Sequence, residues 1–227
     1  LLNSLKIPFT GGTLETIFIT SSKTLAKERM KNGGLPTAYW YHGEGEFKPE
    51  NGKRYIVKPI WEDGSLGLDE HCVFWWNEEG LAKAAKELNP ATHFIEEFID
   101  GREFNISILA GKSGPTVLPH AEILFDGYEG DKPKIMGYAS KWIEDSFEYN
   151  NTRRTFEMSS EDETLLKKLT EINHKCWDVF RLNGYARVDY RVDKNGNPWV
   201  LEINVNPCIS HSGGFYAACE RAGIPFN

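Results

Sequence analysis

The chain has 227 residues, 40% hydrophobic and 26% charged, with a net charge of −7. That length allows one large domain or two small ones with a substantial core, and the acidic balance argues against a general nucleic-acid binder while leaving room for a local basic pocket. No window is long and apolar enough to span a bilayer, so neither nucleic acid nor membrane is expected as a partner. Cys72, Cys176, Cys208 and Cys219 lie scattered, without zinc or C-x-x-C spacing, and the six histidines form no metal motif. Isolated thiols suit a reducing cytoplasm. The opening "LLNSLKIPFTGG" carries no signal-peptide pattern and no methionine. It reads as cut from within a helix, and residues 1–12 are expected to be the remnant of a preceding domain.

"ITSSKTLAKERMKNGG" reads as a helix, capped by Ser21 or Ser22 and ended by Gly33-Gly34. "RYIVKP" is a short strand stopped by proline, followed by the glycine-containing loop "EDGSLGL". "NEEGLAKAAKELN" is a helix with Asn77 as its cap and acids in the first turn. "THFIEEFI" and "EFNISIL" are strands parted by Asp100-Gly101, and "TVLPHAEILF" is another. The polar stretch from Gly127 to Thr155 is long for a passive connection and favours a functional loop. "SSEDETLLKKLTEINHKCWDVF" is the clearest helix. Ser160 and Glu163 suggest a capping box, and Leu165, Leu169, Ile172, Cys176 and Val179 form an apolar stripe. "GGFYAACERAG" is a last helix, ended by Gly223. Several strands follow one another without an intervening helix. This predicts an α+β fold of antiparallel sheets with helices on one side.

Before that last helix stands "ARVDYRVDKNGNPWVLEINVN". A two-residue Asn195-Gly196 turn sets Val192 against Trp199, Tyr190 against Leu201 and Val188 against Ile203, an apolar face. On the other face Arg191 meets Val200, Asp189 meets Glu202 and Arg187 meets Asn204. A one-residue slip would destroy the apolar match. Facing carboxylates are destabilising without a cation, and two acids with an amide oxygen make a ligand set for a hard cation such as Mg²⁺. A solvated face neutralised by Arg187 and Arg191 explains the hairpin equally well.

Other segments add to this. Lys58 ends an apolar strand beside a glycine loop, where a lysine and backbone N–H groups can hold phosphate, though a surface lysine is the commoner case. In "FIEEFIDGREF", Glu96 and Glu97 interrupt an apolar strand, Phe98 and Ile99 follow, and Glu103 comes after a turn. An adenine needs an apolar slot with polar edges, and a ribose needs an acceptor; an edge strand with one wet face has the same pattern. "YASKW" places Lys141 and Trp142 in the long polar stretch, which could close over phosphates or lie open to solvent.

In order, "SSKTLAKERMKNGGLP", "YIVKPIWEDGSLGL", "FIEEFIDGREF", "YASKW" and "YARVDYRVDKNGNPWVLEINVNP" resemble the ATP-grasp superfamily, and within it the D-alanine–D-alanine ligase group. The resemblance covers nearly the whole chain. It implies two α+β subdomains, 13–96 and 97–227, gripping ATP between antiparallel sheets. It implies Lys23, Lys58 and Lys141 on phosphates, with Ser65 in the loop beside them, and Glu96, Glu97, Phe98 and Ile99 at the adenine. It implies Glu103 on the ribose, and Asp189, Glu202 and Asn204 on Mg²⁺ or Mn²⁺. Arg187 would stabilise charge at the reacting carboxyl. The implied reaction joins a carboxylate to an amine through an acyl phosphate, on small-molecule substrates, in a cytoplasmic enzyme that is a homodimer when full length, with a possible place in peptidoglycan biosynthesis.

The acceptor side departs from the family pattern. The expected paired serines are Gly64-Ser65, the loop tyrosine is Trp142, Pro-Gly becomes Pro207-Cys208, and the substrate-holding serine falls near Ser212-Gly213. A different ATP-grasp ligase, or a nucleotide-binding module without ligase activity, therefore stands beside a D-alanine–D-alanine ligase-like enzyme.

Overall fold

The computed structural model describes residues 2, 4–43, 47–87 and 89–225. Leu1 and Asn3 of the expected remnant, Leu88 of the expected helix 77–89, and Phe226 and Asn227 lie outside the described residues.

The chain is organised by two antiparallel sheets. Ahead of them come α1 (Leu14–Ser21) and α2 (Lys23–Asn32). Ser22 caps α2, its Oγ accepting the Leu25 N–H, and Gly33-Gly34 follow its end. The cap at Ser22 is one of the two the sequence suggests; α1 before it, capped by Thr13, was not expected. The smaller sheet holds β1 (Trp40–Tyr41), β2 (Arg54–Pro59), β3 (Val73–Trp75) and, after α3 (Glu78–Glu87), β4 (His93–Glu97), in the order β1-β4-β2-β3. The N–H of Gly80 donates to Asn77 Oδ1, so Asn77 caps α3 as its sequence suggests.

The larger sheet is built on β5 (Gly101–Leu109). The expected strand 116–125 is two pieces, β6 (Thr116–Val117) and β7 (Ala121–Phe125), parted at Leu118–His120, where Pro119 has no N–H for a ladder. The polar stretch that follows is structured: α4 (Ala139–Trp142), α5 (Phe147–Asn151) and an edge strand, β8 (Thr152–Thr155). Helix α6 (Glu163–Phe180), the hairpin β9 (Tyr185–Asp193) and β10 (Pro198–Asn204), and α7 (Gly214–Arg221) complete the chain. The sheet order is β10-β9-β5-β7-β8, with β6 on β5. The capping box lies one residue earlier than the sequence suggests, between Ser159 and Asp162, because a 3-10 turn precedes α6.

The central strands separate two chemistries by simple alternation. Phe104, Ile106 and Ile108 of β5 and Val188, Tyr190 and Val192 of β9 point into a core closed by α2 and α6. On the opposite face Glu103, Asn105 and Ser107 pair with Arg191, Asp189 and Arg187. These polar residues are buried as well, apart from Arg187, whose side chain is 16% exposed.

The hairpin corrects the expected register near its tip. Asp193 and Asn197 close a loop of residues 194–196, in which Gly196 has φ +76°. A three-residue turn ending in a left-handed glycine replaces the expected two-residue turn. Pro198 therefore faces Val192, Trp199 faces Arg191 and Val200 faces Tyr190, instead of the pairs Val192–Trp199, Arg191–Val200 and Tyr190–Leu201. An irregularity at Leu201 then restores the expected register, with Glu202 opposite Asp189, Ile203 opposite Val188 and Asn204 opposite Arg187. The extra residue is absorbed as a β-bulge, and Leu201 leaves the core face to line the cavity between the sheets.

Gly101 fixes where β5 enters the larger sheet. Its φ is +154°, and a Cβ there would stand 2.0 Å from the Val192 carbonyl oxygen. Gly196 also has positive φ, but a Cβ there meets nothing. Gly196→Ala should cost about 1 kcal/mol, and Gly101→Ala roughly 3 kcal/mol or more, since the β5–β9 backbones must separate. Urea midpoints of the two variants test this; equal losses would show that the close approach is not a constraint.

Candidate active site

A cavity of about 590 Å³ lies between the two sheets, within the size range of small-ligand sites. Every site residue suggested by the sequence lines it. Lys58, Glu96 and Glu97 come from the smaller sheet, and Phe98 and Ile99 from the connection to the larger one. Glu103, Arg187, Asp189, Glu202 and Asn204 come from β5, β9 and β10. Lys23 opens α2, Gly64 and Ser65 lie in the loop after β2, Lys141 and Trp142 end α4, and Ser212 and Gly213 precede α7.

The acidic pair sits on the buried polar face. Arg187 grips Asp189 with two hydrogen bonds of 2.7 Å, from Nε and Nη2. Burial nevertheless raises the Asp189 pKa; Arg187 opposes this and the nearby Glu202 charge adds to it. For Glu202 burial again pushes upward, but Lys23, Lys141, Arg187 and Lys58 together bring its pKa below the usual range. Asn204 Oδ1 accepts the Asn206 N–H at 2.9 Å. Among the described residues no group of three or more His, Cys, Asp or Glu side chains could hold a metal. The donors that the hairpin presents to the cavity are the Asp189 and Glu202 carboxylates and the Asn204 amide. That set suits Mg²⁺, which binds through one or two carboxylates and completes its shell with water and phosphate oxygens. A carboxylate has about four acceptor positions, so the Arg187 contacts leave Asp189 with capacity.

The cations are held in place by other groups. Glu96, buried with 1% of its side chain exposed, bridges Lys27 and Lys58, the latter at 2.8 Å. Burial opposes its ionisation, yet the two ammonium groups lower its pKa below normal. Burial lowers the Lys27 pKa despite Glu96. Lys23 donates to the Glu62 carbonyl and lies 3.8 Å from Asp63.

Two loops clasp each other over the cavity. The Ser65 hydroxyl donates to the Met136 carbonyl at 2.5 Å, Trp142 Nε1 donates to the Gly64 carbonyl at 2.9 Å, and the Tyr138 N–H donates to the Leu68 carbonyl at 2.8 Å. Gly64 and Ser65 both have φ of +64°, so the loop turns sharply where it meets Trp142. Part of the lining is an apolar slot, with Ile56, Phe98 and Ile135 in one cluster, and Leu201 also lines the cavity. Arg191 borders that slot, buried, with Nε 3.6 Å from Glu103 and Nη1 donating to the Gly101 carbonyl at 2.9 Å. Burial raises the Glu103 pKa, against the pull of Arg191.

Sequence reasoning missed Lys27, Leu201 and Arg154. Lys27 stands four residues after Lys23 beside the apolar Ala26 and Met30, the one available signal of a buried lysine. The Arg153-Arg154 pair in a polar stretch was equally visible.

Glu96 is the counter-ion of a buried lysine, so Glu96→Leu should destabilise the protein by about 3–5 kcal/mol. Adding Lys27→Met should recover most of that loss, because a buried ion pair replaced by apolar residues is close to neutral. Chemical denaturation of the single and double variants measures both; a double variant no better than the single would refute the pairing.

A D-alanine–D-alanine ligase of Aquifex aeolicus is 29% identical over 232 residues, covering 100% of this chain and 72% of that protein. One from Acinetobacter baylyi is 27% identical over 233 residues, covering 100% and 70%. The crystal structure of a Bacillus anthracis D-alanine–D-alanine ligase complexed with ATP superposes with a TM-score of 0.70 at 21% identity, covering 98% of this chain and 67% of that one. The model of the D-ala D-ala ligase C-terminus matches residues 45–227. The chain therefore belongs to the D-alanine–D-alanine ligase C-terminal family and has the ATP-grasp fold.

Proposed function

We propose that the protein is an ATP- and Mg²⁺-dependent ligase that joins a carboxylate to an amine through an acyl phosphate. Family membership carries the ligase class. The observation that supports the residue roles is the pair Asp189 and Glu202 facing a cavity shared with Lys23, Lys58 and Lys141. We divide the chain into a leading segment at 1–12, a central subdomain at 13–96 and a C-terminal subdomain from 97 onward.

In this reading the adenine enters the apolar slot at Phe98 and Ile99, edged by Glu97. Glu96 acts there by holding Lys58 in place, since its oxygens face two lysines. Glu103 takes the ribose hydroxyls. Lys23, Lys58 and Lys141 meet the phosphates, with Ser65 and the turn at Gly64 closing over them. Asp189, Glu202 and Asn204 would hold Mg²⁺ or Mn²⁺, which supplies charge neutralisation at the phosphates when bound.

A substrate carboxylate oxygen attacks the γ-phosphorus, the bond to ADP breaks, and an acyl phosphate forms. The amine nitrogen then attacks the carbonyl carbon, loses a proton, and phosphate leaves. The lysines offset the spreading phosphate charge. Arg187, held rigid by Asp189, donates to the oxyanion of the tetrahedral intermediate. Trp142, tied to Gly64, helps keep water from the acyl phosphate.

The names of its relatives favour a D-alanine-like substrate pair, with Gly64, Trp142, Ser212 and Gly213 as the residues that adapt the site to it. Among the described residues no helix is long and apolar enough to cross a membrane, and we place the enzyme in the cytoplasm.

Mg²⁺ with ATP should raise the melting temperature of the protein, and Asp189→Ala combined with Glu202→Ala should remove that rise. A rise that survives the double substitution would disprove the metal assignment. Phosphate release screened over D- and L-amino acids tests the substrate class. Release with D-alanine alone supports the dipeptide ligase, release only with unrelated acids rules it out, and ATP binding without release supports a nucleotide-binding module. Lys141→Ala should lower kcat on the order of a hundred-fold or more, as for other removed transition-state donors, with a smaller effect on ATP affinity.

A further inference from the structure

The arginines around the larger sheet have carboxylate partners, with one exception. Arg187 has Asp189, Arg191 has Glu103, Arg102 has Glu122 and Asp162, and Arg153 has Asp126. Arg154 has none among the described residues. It lies on the edge strand β8, opposite Ile123 of β7, and lines the cavity with Arg187 and Ser212. Its Nε is buried and has no hydrogen-bond partner. Burial lowers its pKa and the Arg187 charge adds to that; no carboxylate acts in the other direction.

An unmatched, partly desolvated guanidinium next to a second one is costly. The fold supports it all the same. Gly214 leaves room for the guanidinium to lie against the first turn of α7, where a Cβ would stand 3.3 Å from Arg154 Nη2. That helix has no side-chain cap on its N-terminus, so its partial positive charge adds to that of Arg154 instead of offsetting it. Ser210 and Ser212 are joined hydroxyl to hydroxyl at 3.2 Å and line the same end of the cavity. At the lysine and metal-ligand end of the cavity Asp189, Glu202 and Glu96 stand among the cations as their acidic partners. The Arg154 end lacks one negative charge.

We propose that Arg154 is the anion-selecting residue of the amine subsite, so that the amine substrate carries a carboxylate which the Arg154 guanidinium binds. This rests on the ligase reading, which assigns the opposite end of the cavity to ATP. A planar guanidinium matches a carboxylate with two parallel donors, which a lysine cannot do. An amine without an acid group leaves Arg154 unmatched and is rejected. One carboxylate restores the missing charge.

The test uses Arg154→Met and Arg154→Lys in the complete protein, with D-alanine, L-alanine and β-alanine as probes and their amides as controls, in the presence of Mg²⁺ and ATP. Arg154→Met should melt higher than the parent without amino acid, since an unmatched charge is gone. It should lose the melting-temperature rise given by the amino acids and keep the rise given by Mg²⁺ with ATP. Where phosphate release is measurable, the KM for the amine should rise on the order of ten- to a hundred-fold, with the amide handled equally by parent and variant and Arg154→Lys restoring little. An amino-acid-dependent rise that persists in Arg154→Met, or that is absent from the parent, overturns the proposal. Loss of the Mg²⁺ and ATP rise in the parent is a separate result and counts against the ligase reading itself.

Discussion

The opposition of Asp189 and Glu202 is the constraint around which the rest of the cavity is arranged. It follows from the other side of the sheet. Val188 and Ile203 must both face the core, and their pairing puts the two acids side by side on the far face. Apolar burial on one face thus imposes an electrostatic cost on the other. The cations that offset that cost come from separate segments: Arg187 from β9, Lys23 from α2 and Lys141 from α4. Bringing such distant segments to one point requires both sheets, α2 and the two loops that clasp each other.

Glu96 solves the reverse problem. Two lysines near the same point would repel, and Lys27 is nearly inaccessible to water. A buried carboxylate between them lets both remain close, and it leaves Lys58 on the cavity wall. The low pKa of Glu96 records this arrangement. The site therefore has alternating charge in depth: lysine, glutamate, lysine, then the acids of the hairpin. Such a ladder is stable only as a unit, since removal of one member leaves its neighbours unmatched in a poorly solvated place.

Much of this was legible in the sequence wherever a side chain's role followed from its own strand. The alternation in "EFNISIL" and in the base of the hairpin separates core from cavity residue by residue, and Ser22 and Asn77 cap helices as their chemistry predicts. Legibility failed where one residue of slack could be absorbed. Asn195-Gly196 suggests a two-residue turn, but Asp193 accepts N–H groups of both Asn195 and Asn197, favouring the longer loop. The bulge at Leu201 then returns the strand to register, so the acids were placed correctly from a partly wrong hairpin. The capping box moved by one residue for a similar reason: a 3-10 turn ahead of α6 is as compatible with "MSSEDET" as a direct helix start. Lys27 escaped because its partner is distant in sequence and no local pattern announces a buried ion pair.

Arg154 marks where local reading stops and charge accounting across the whole site begins. In sequence it is one of two adjacent arginines in a polar stretch, and Arg153 beside it is an ordinary exposed residue with an acid at 2.5 Å. Both arginines reach the cavity lining, but Arg153 is largely exposed and paired with Asp126, whereas Arg154 is partly buried with no acid beside it among the described residues. Only the assembled sheet shows that Asp189 is already engaged by Arg187, and Glu103 paired with Arg191, which leaves Arg154 without an acid. The hairpin acids and Arg154 then pose the same physical question with opposite sign. Each is a charge that the fold buries without fully answering it, and under the roles proposed above a ligand of opposite charge would answer each: a cation at the acids and a carboxylate at Arg154.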